Sequence, residues 1–306
     1  MFASKEPPRL EIATSKVETL VREQFPQWAH LPITPVFLSG WDNRTFHLGS
    51  EMTVRLPSAE RYIHQVQKEQ EWLPKLAAYL PVSIPKPLAM GRPSETYPWH
   101  WSIYKWIEGK NADTLKPDEL HKFAAEIAGF LMALQSIPNQ GSPVPGPFRR
   151  GASPKYYDAQ TREAVAALKD TIDPEGAITT WEAAISSEWE KDPVWVHGDF
   201  SAGNILVKNG KLAAVIDFGS CCVGDPACDL VIAWMLLTET ARATFKKKLN
   251  LDNETWARAR GWAIWKTLIT LADLKDKMSV EAESKKKIIA LVIEDHRVEN
   301  SGIGLL

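Results

Sequence analysis

Between Val194 and Asp229 the chain reads VWVHGDFSAGNILVKNGKLAAVIDFGSCCVGDPACD, and no other stretch constrains the fold as much. Asn209-Gly210 near its centre is the strongest two-residue signal for a tight hairpin. That turn predicts pairing of Lys208 with Lys211, of Val207 with Leu212 and, counting back, of Asn204 with Val215. Asp217 falls two residues further on, roughly 7 Å away at about 3.3 Å per residue. His197, Asp199 and Asn204 form an H-G-D-x4-N run before the first strand, and Asp217-Phe218-Gly219 follows the second. Asp199, Asn204 and Asp217 are therefore expected to gather at the open end of one hairpin.

Such a set suits phosphoryl transfer. Mg²⁺ takes hard oxygen ligands and keeps several waters, so one carboxylate, one amide oxygen and phosphate oxygens suffice to hold it. A second carboxylate, off the metal, orients a hydroxyl and takes its proton. H-G-D-x4-N followed by I-D-F-G and G-D-P-x2-D-L resembles the aminoglycoside phosphotransferase branch of the protein-kinase-like fold. The resemblance covers about residues 35–300 and is strongest over 194–230. It implies an α/β (α+β) bilobal protein-kinase-like fold, with a small β-rich N-lobe and a larger, mostly helical C-lobe. The expected boundaries are residues 1–104 for the nucleotide-binding lobe, 105–109 for a hinge and 110–306 for the catalytic and substrate-binding lobe.

At 306 residues the chain is long enough for two lobes with cores. Apolar residues make up 44% and charged residues 24%, an ordinary globular balance. The net charge of −2 argues against a nucleic-acid or polybasic membrane role. The charge is uneven, because residues 100–240 carry 12 basic and 19 acidic side chains. Cys221, Cys222 and Cys228 match no metal knuckle and no disulfide framework, so reduced, partly buried thiols are expected. The N-terminus lacks an apolar signal core, and Leu230–Leu237 is too short to span a bilayer. A cytoplasmic protein is expected.

Along the chain, Ser15-Lys16-Val17-Glu18 reads as a capping box opening a helix that Pro26 stops. Strands are expected at Pro35–Ser39, up to Leu48, and at Met52–Leu56. The loop from Ser39 to Arg44, with Ser39 and Asn43, would cover nucleotide phosphates, although Gly40 is its single glycine. On the third strand Met52, Val54 and Leu56 share one face and Thr53 and Arg55 the other. Arg55 thus stands where a kinase lysine pairs with the α/β-phosphates, and arginine is not a neutral swap there. Its alternative is a solvated strand arginine. The next helix, roughly Glu60–Tyr79, supplies the acid that holds Arg55. Val66, Glu69, Leu73 and Leu76 step by helical spacing, so Glu69 rides the buried stripe and Glu71 faces away. Pro74 must kink or interrupt this helix.

Val82–Met90 and Trp99–Ile107 read as strands, the second running into Glu108-Gly109. Lys105 to Ile107 would offer backbone to the nucleobase, which leaves ATP and GTP indistinguishable. Helices follow from Pro117, near Tyr156–Leu168, Pro174–Trp189, Glu254–Leu274 and Val280–Val298, with a loop over residues 137–154. Trp256, Trp262 and Trp265 read as core rather than as stacking platforms. Asp225 caps a helix with Pro226 at its first position, and Asp229 sits in the first turn. Both read as loop supports. His197, a metal ligand or base in other settings, reads here as a support of the same loop.

The resemblance assigns Asp199 as the residue that orients and deprotonates the acceptor. It assigns Asn204 and Asp217 to Mg²⁺, and Arg55 and Glu69 to the phosphates of ATP or GTP. The expected partner is a small-molecule hydroxyl acceptor: an aminoglycoside, a macrolide or a metabolite such as an amino alcohol. The acidic middle of the chain predicts a cationic one. No A-P-E segment follows Asp217-Phe218-Gly219, which argues against protein substrates. Two rivals stand beside this reading. A nucleotide-binding pseudokinase is suggested by Arg55, and a metal-dependent phosphoesterase needs two metals about 3.5–4 Å apart and more ligands than this stretch offers.

Overall fold

A computed structural model of the chain describes residues 10–36, 40, 42–147 and 149–301. They form two compact units. One holds the described chain through Lys110 together with Ala213–Ser220, and the other holds Asn111–Leu212 and the chain from Cys221 onward.

The first unit is built on a five-stranded sheet. Helix α1 (Thr14–Gln24) comes first, burying Val17, Leu20 and Val21. Ser15 is not its cap, because the helix begins one residue earlier, after Ala13, with no side-chain cap. Lys16 N–H instead donates to the Ala13 carbonyl at 3.0 Å. The first strand, β1 (Ile33–Pro35), starts two residues before the expected position; Ser39 and the rest of that expected strand beyond Val36 lie outside the described residues. Strands β2 (Asn43–Leu48) and β3 (Met52–Pro57) pair antiparallel, with Phe46 opposite Val54 and Thr45 opposite Arg55. Val54 and Leu56 point into a core with Phe46, Leu48, Trp101, Ile103 and the apolar face of α1.

Helix α2 (Ile63–Ala77) follows a short 3₁₀ turn at Glu60–Tyr62. Pro74 lies inside it and does not end it, since the helix runs on to Ala77. So near the C-terminus the missing N–H removes one bond from the last turns only. Strands β4 (Pro87–Gly91) and β5 (Trp101–Lys105) are shorter than the expected Val82–Met90 and Trp99–Ile107. Pro81, Pro85 and Pro87 have no N–H to give a ladder. Ser83 bridges Ala214 in parallel instead, and its carbonyl accepts Val215 N–H at 3.1 Å. The sheet order is β1-β2-β3-β5-β4.

After the two-residue strand β6 (Lys110–Asn111) the chain turns helical. Helix α3 (Leu120–Gln135) starts later than Pro117, because Glu119 accepts Lys116 N–H in a preceding turn. Helices α4 (Asp158–Ala167) and α5 (Pro174–Ile185) follow, α5 stopping four residues short of Trp189. Strand β7 (Val194–Val196), the hairpin strands β8 (Ile205–Lys208) and β9 (Lys211–Val215), and β10 (Cys222–Gly224) carry the motif stretch. Asn209 and Gly210 have φ of 54° and 70°, the pair of left-handed residues that a type I′ turn demands.

Asp225 and Pro226 open a 3₁₀ helix, Pro226–Val231, rather than an α-helix, and α6 (Ile232–Met235) continues it. Helix α7 (Glu239–Leu249) was not read from the sequence, although Thr238 caps it and left-handed Asn250 ends it. Its polar run of Thr, Arg and Lys hides a narrow stripe of Ala241, Phe245 and Leu249. Helices α8 (Asn253–Asp273) and α9 (Val280–Asn300) end the fold. Helix α8 packs against α4, α5 and α9 and buries residues on most of its circumference, Trp256, Trp262 and Trp265 included. The expected mixed α/β class holds, with a β-sheet N-terminal region and a helical C-terminal region.

Candidate active site

Strand β7 pairs with β10 antiparallel, Val196 opposite Cys222, and delivers the chain into His197-Gly198-Asp199. Gly198 has φ of +83°, a conformation that side-chain-bearing residues rarely adopt, which accounts for glycine where a kinase loop carries arginine. The loop is bolted down by Asp229. Its two carboxylate oxygens accept His197 N–H at 2.6 Å and Gly198 N–H at 2.8 Å. Burial pushes the Asp229 carboxyl up, while nearby His197 and these amides pull it back. Asp225 accepts Ala227 N–H at 3.0 Å as a cap and takes the Arg258 guanidinium at 2.7 Å. His197 is fully buried, and its Nδ1 accepts Asp199 N–H at 3.2 Å. Asp229 and His197 act on the backbone of this loop, whereas Asp225 supports the 3₁₀ helix that follows β10; all three lie within the same unit.

Asp199 carries the charge. Asn204 Nδ2 donates to its Oδ2 at 3.0 Å and to its carbonyl at 2.9 Å. Lys266 Nζ, from α8, donates to Oδ1 at 3.1 Å. Burial pushes the Asp199 carboxyl up, but Lys266, with His197 and Arg150, outweighs it and holds the group below the usual carboxylate range. The side chain is therefore an ionised acceptor at neutral pH. Because Asn204 spends its amide N–H groups on Asp199, its oxygen is the end left for a cation.

Asp217, Arg55 and Glu69 meet in the other unit. Asp217 adopts φ of +65°, uncommon for a residue with a side chain and frequent at functional turns. Arg55 Nη2 lies 3.0 Å from Asp217 Oδ1, and Nη1 lies 3.5 Å from Glu69 Oε1. Burial works against the Arg55 charge, yet Glu69 and Asp217 raise its pKa overall. Burial also pushes Glu69 up, against the pull of Arg55, and Tyr104 donates its hydroxyl to Glu69 Oε2. Glu71 points away and pairs with Lys75 at 2.8 Å on the surface. Asn43 is buried at the start of β2, opposite Pro57. Lys105 N–H donates to the Lys86 carbonyl at 2.9 Å and Trp106 N–H to the Glu51 carbonyl at 2.7 Å, so the sheet already uses two of the three amides from Lys105 to Ile107.

Three residues that sequence reading passed over join these two constellations. Asp42 accepts Gln65 Nε2 at 2.8 Å, and burial, with Asp217 nearby, raises its pKa. It lay in the loop already marked for phosphates. Lys266 and Arg150 carried no local signal, because folding alone brings them to Asp199. Part of the acid of residues 100–240 is tied up in ion pairs. Asp158 and Glu182 pair with Arg162, Glu188 with Lys155, Asp173 with Arg297 and Asp225 with Arg258. Among the described residues no group of three or more His, Cys, Asp or Glu side chains is placed to hold a metal by itself. No described helix is long and apolar enough to cross a membrane.

Known proteins resemble this chain in sequence and fold. An aminoglycoside 3'-phosphotransferase of Salmonella typhimurium is 29% identical over 168 residues, half of this chain and 59% of that relative. The chain thus spans about three-fifths of the length of the curated relatives it matches. Among solved structures, the GDP and kanamycin complex of APH(2")-IIia superposes with a TM-score of 0.67 at 17% identity, covering 93% of this chain and 99% of that one. The macrolide 2'-phosphotransferase MphH of Brachybacterium faecium gives 0.59 at 17% identity, covering 90% and 98%. The fold is therefore the kinase-like one of those enzymes. Residues 34–262 match the model of the phosphotransferase enzyme family (APH), and the chain belongs to that family.

Proposed function

We propose that this protein transfers the γ-phosphoryl group of a nucleoside triphosphate to a hydroxyl of a small molecule. The carrying observation is Asp199: an ionised carboxylate on a loop pinned by Asp229, with one oxygen held by Asn204 and the other by Lys266. In the reaction the acceptor hydroxyl gives its proton to Asp199 as its oxygen bonds the γ-phosphorus, and the bond to the departing diphosphate breaks.

Asn204, through its amide oxygen, and Asp217, through the carboxylate that Arg55 orients, are the residues that would hold Mg²⁺. Bound there, the metal would neutralise charge on the phosphate oxygens. Arg55, steadied by Glu69, supplies a fixed cation for the donor phosphates. Asn43 and Ser39 belong to the loop assigned to cover them. Residues 105–109 are taken as the hinge segment, and with Lys105 and Trp106 N–H committed to the sheet, Ile107 N–H is the donor for the nucleobase. The names of the solved relatives support ATP or GTP as donor and an amine-bearing aminoglycoside or a macrolide as acceptor; an amino alcohol fits the same chemistry. Three buried free thiols suit a reducing, cytoplasmic setting.

The test is Mg²⁺-dependent release of ADP or GDP across aminoglycosides, macrolides and amino alcohols, with Asp199→Asn beside the wild type. Stimulated release that falls about 10²–10⁴-fold in Asp199→Asn, with nucleotide binding kept, is the expected result. Release that no hydroxyl compound stimulates would leave the pseudokinase reading. Equal hydrolysis of a simple aryl phosphate by both proteins would favour an unrelated phosphoesterase activity.

A further inference from the structure

Among the described residues Arg150 has no acid of its own, and it is held against the stretch of α8 that reaches Asp199 through Lys266. Its backbone is anchored, since Cys222 Sγ donates to the Arg150 carbonyl at 3.3 Å and Asp225 N–H donates to the Gly151 carbonyl at 2.8 Å. Gly151 has φ of +79°, and a Cβ there would stand 2.9 Å from Cys222 Sγ, so the chain passes β10 in a form only glycine takes easily. The half-buried guanidinium rests on aromatic faces, with its carbon 4.8 Å from the Trp262 ring centre and 4.7 Å from that of Trp265. Tyr157 packs on Trp265 with ring centres 4.1 Å apart, and Trp265 is tethered in turn to Gln160 at 2.8 Å.

The other well-buried arginines of this unit have carboxylates: Arg258 pairs with Asp225 at 2.7 Å, Arg242 with Asp295 at 3.6 Å, and Arg260 with Asp295 at 3.2 Å. Among the described residues none is within ion-pair distance of Arg150. Lys266, the neighbour of Trp265 in the chain, reaches Asp199 Oδ1 at 3.1 Å. Exposed Arg149 adds to the Arg150 charge at Tyr157. Arg150 and Lys266 are thus two cations held in place on one stretch of α8.

A planar, pre-oriented guanidinium is matched by a carboxylate, which it grips through two parallel hydrogen bonds. We infer that Arg150, assisted by Lys266, binds a carboxylate on the acceptor close to the hydroxyl that receives the phosphoryl group. This rests on the kinase reading of Asp199 and departs from the acceptors suggested by the relatives' names in one respect: the acceptor is a hydroxylated acid. An amine elsewhere on the same molecule, held away from Asp199, is compatible with it.

Matched probes test this: glycerate, glycerol and serinol; gluconate, glucitol and glucamine; glucuronate, glucose and glucosamine. Each is titrated calorimetrically into the full chain and then supplied as acceptor with Mg·ATP and Mg·GTP. The expected result is that in at least one series the acid binds about tenfold or more tighter than both partners. Arg150→Gln should abolish that preference, and Arg150→Lys, which keeps the charge, should retain part of it. Acids bound no better than their neutral or amine forms in all three series would overturn the inference. So would a preference that survives Arg150→Gln, or an Arg150→Gln variant whose only defect is a raised nucleotide KM, which would assign the arginine to the donor phosphates. Acid binding that persists without any NTP turnover keeps the subsite and sinks the kinase reading. Turnover stimulated equally by all three forms does the reverse.

Discussion

Lys266 holds the Asp199 carboxyl below the usual carboxylate range. A carboxylate held below its usual range stays ionised as pH falls, and its charge is lost only as pH passes the lowered, folded-state pKa. The acid limb of the rate profile is therefore expected below the ordinary carboxylate range. Lys266→Met removes the strongest opposing charge and leaves burial to act, so the limb should move to higher pH. A profile of kcat against pH for the two proteins checks this, and an unmoved limb would mean that another group controls it. Arg55 and Glu69 make a second pair worth measuring. Either alanine variant should raise the nucleotide KM, and the double variant should cost less than the two combined, because the partners touch. Glu71→Ala, whose partner is an exposed Lys75, should change stability by no more than about 0.5 kcal/mol. Helical spacing alone was enough to choose between the two glutamates. It offered nothing on Lys266, which lies 67 residues from Asp199 in the chain, or on Arg150, which sat in a stretch read only as loop.

The element that holds the chemistry in place is the turn from β7 into the catalytic loop, and it depends on two residues. Gly198→Ala forces a side chain into a left-handed conformation and should cost about 1–2 kcal/mol. Asp229→Ala should cost more, because it orphans the His197 and Gly198 amides at about 1–3 kcal/mol each. Denaturant midpoints give both numbers, and an Asp229→Ala variant as stable as the wild type would mean that other acceptors replace the carboxylate. This element was legible because its signals are local: Asn209-Gly210 fixes a turn, and Asp225-Pro226 fixes a helix start. The strands before β5 were misread because their apolar content was visible while their missing amides were overlooked. Pro81, Pro85 and Pro87 give no N–H, so β4 runs only from Pro87 to Gly91 while Ser83 bridges Ala214 instead. Helix α7 escaped for the opposite reason, since its caps were present but its apolar stripe is three residues wide in a basic run.

At the scale of the whole molecule, the sheet unit and the helical unit are each covered by a core that the apolar pattern announced, through α1 and β3 in one and α3 and α8 in the other. What the pattern did not announce is that Ala213–Ser220, with Asp217, belongs to the sheet unit although it follows the helices in the chain. Chain order hides such a return, which is written in long-range contacts such as Ser83 with Val215. The cysteines fall entirely on the other side of this division. Cys221, Cys222 and Cys228 are all buried and in no disulfide, and burial raises the Cys228 thiol well above its ordinary pKa. A thiol-specific reagent in dilute solution should therefore find almost nothing to modify while the helical unit is closed, and the sheet unit, having no cysteine, is silent to it at all times. The labelling rate becomes a clock for opening of the unit that carries Asp199, read without interference from the unit that carries Arg55. A ligand gripping Arg150, whose carbonyl accepts the Cys222 thiol, should slow that clock, whereas one touching the sheet unit alone should leave it running at the same speed.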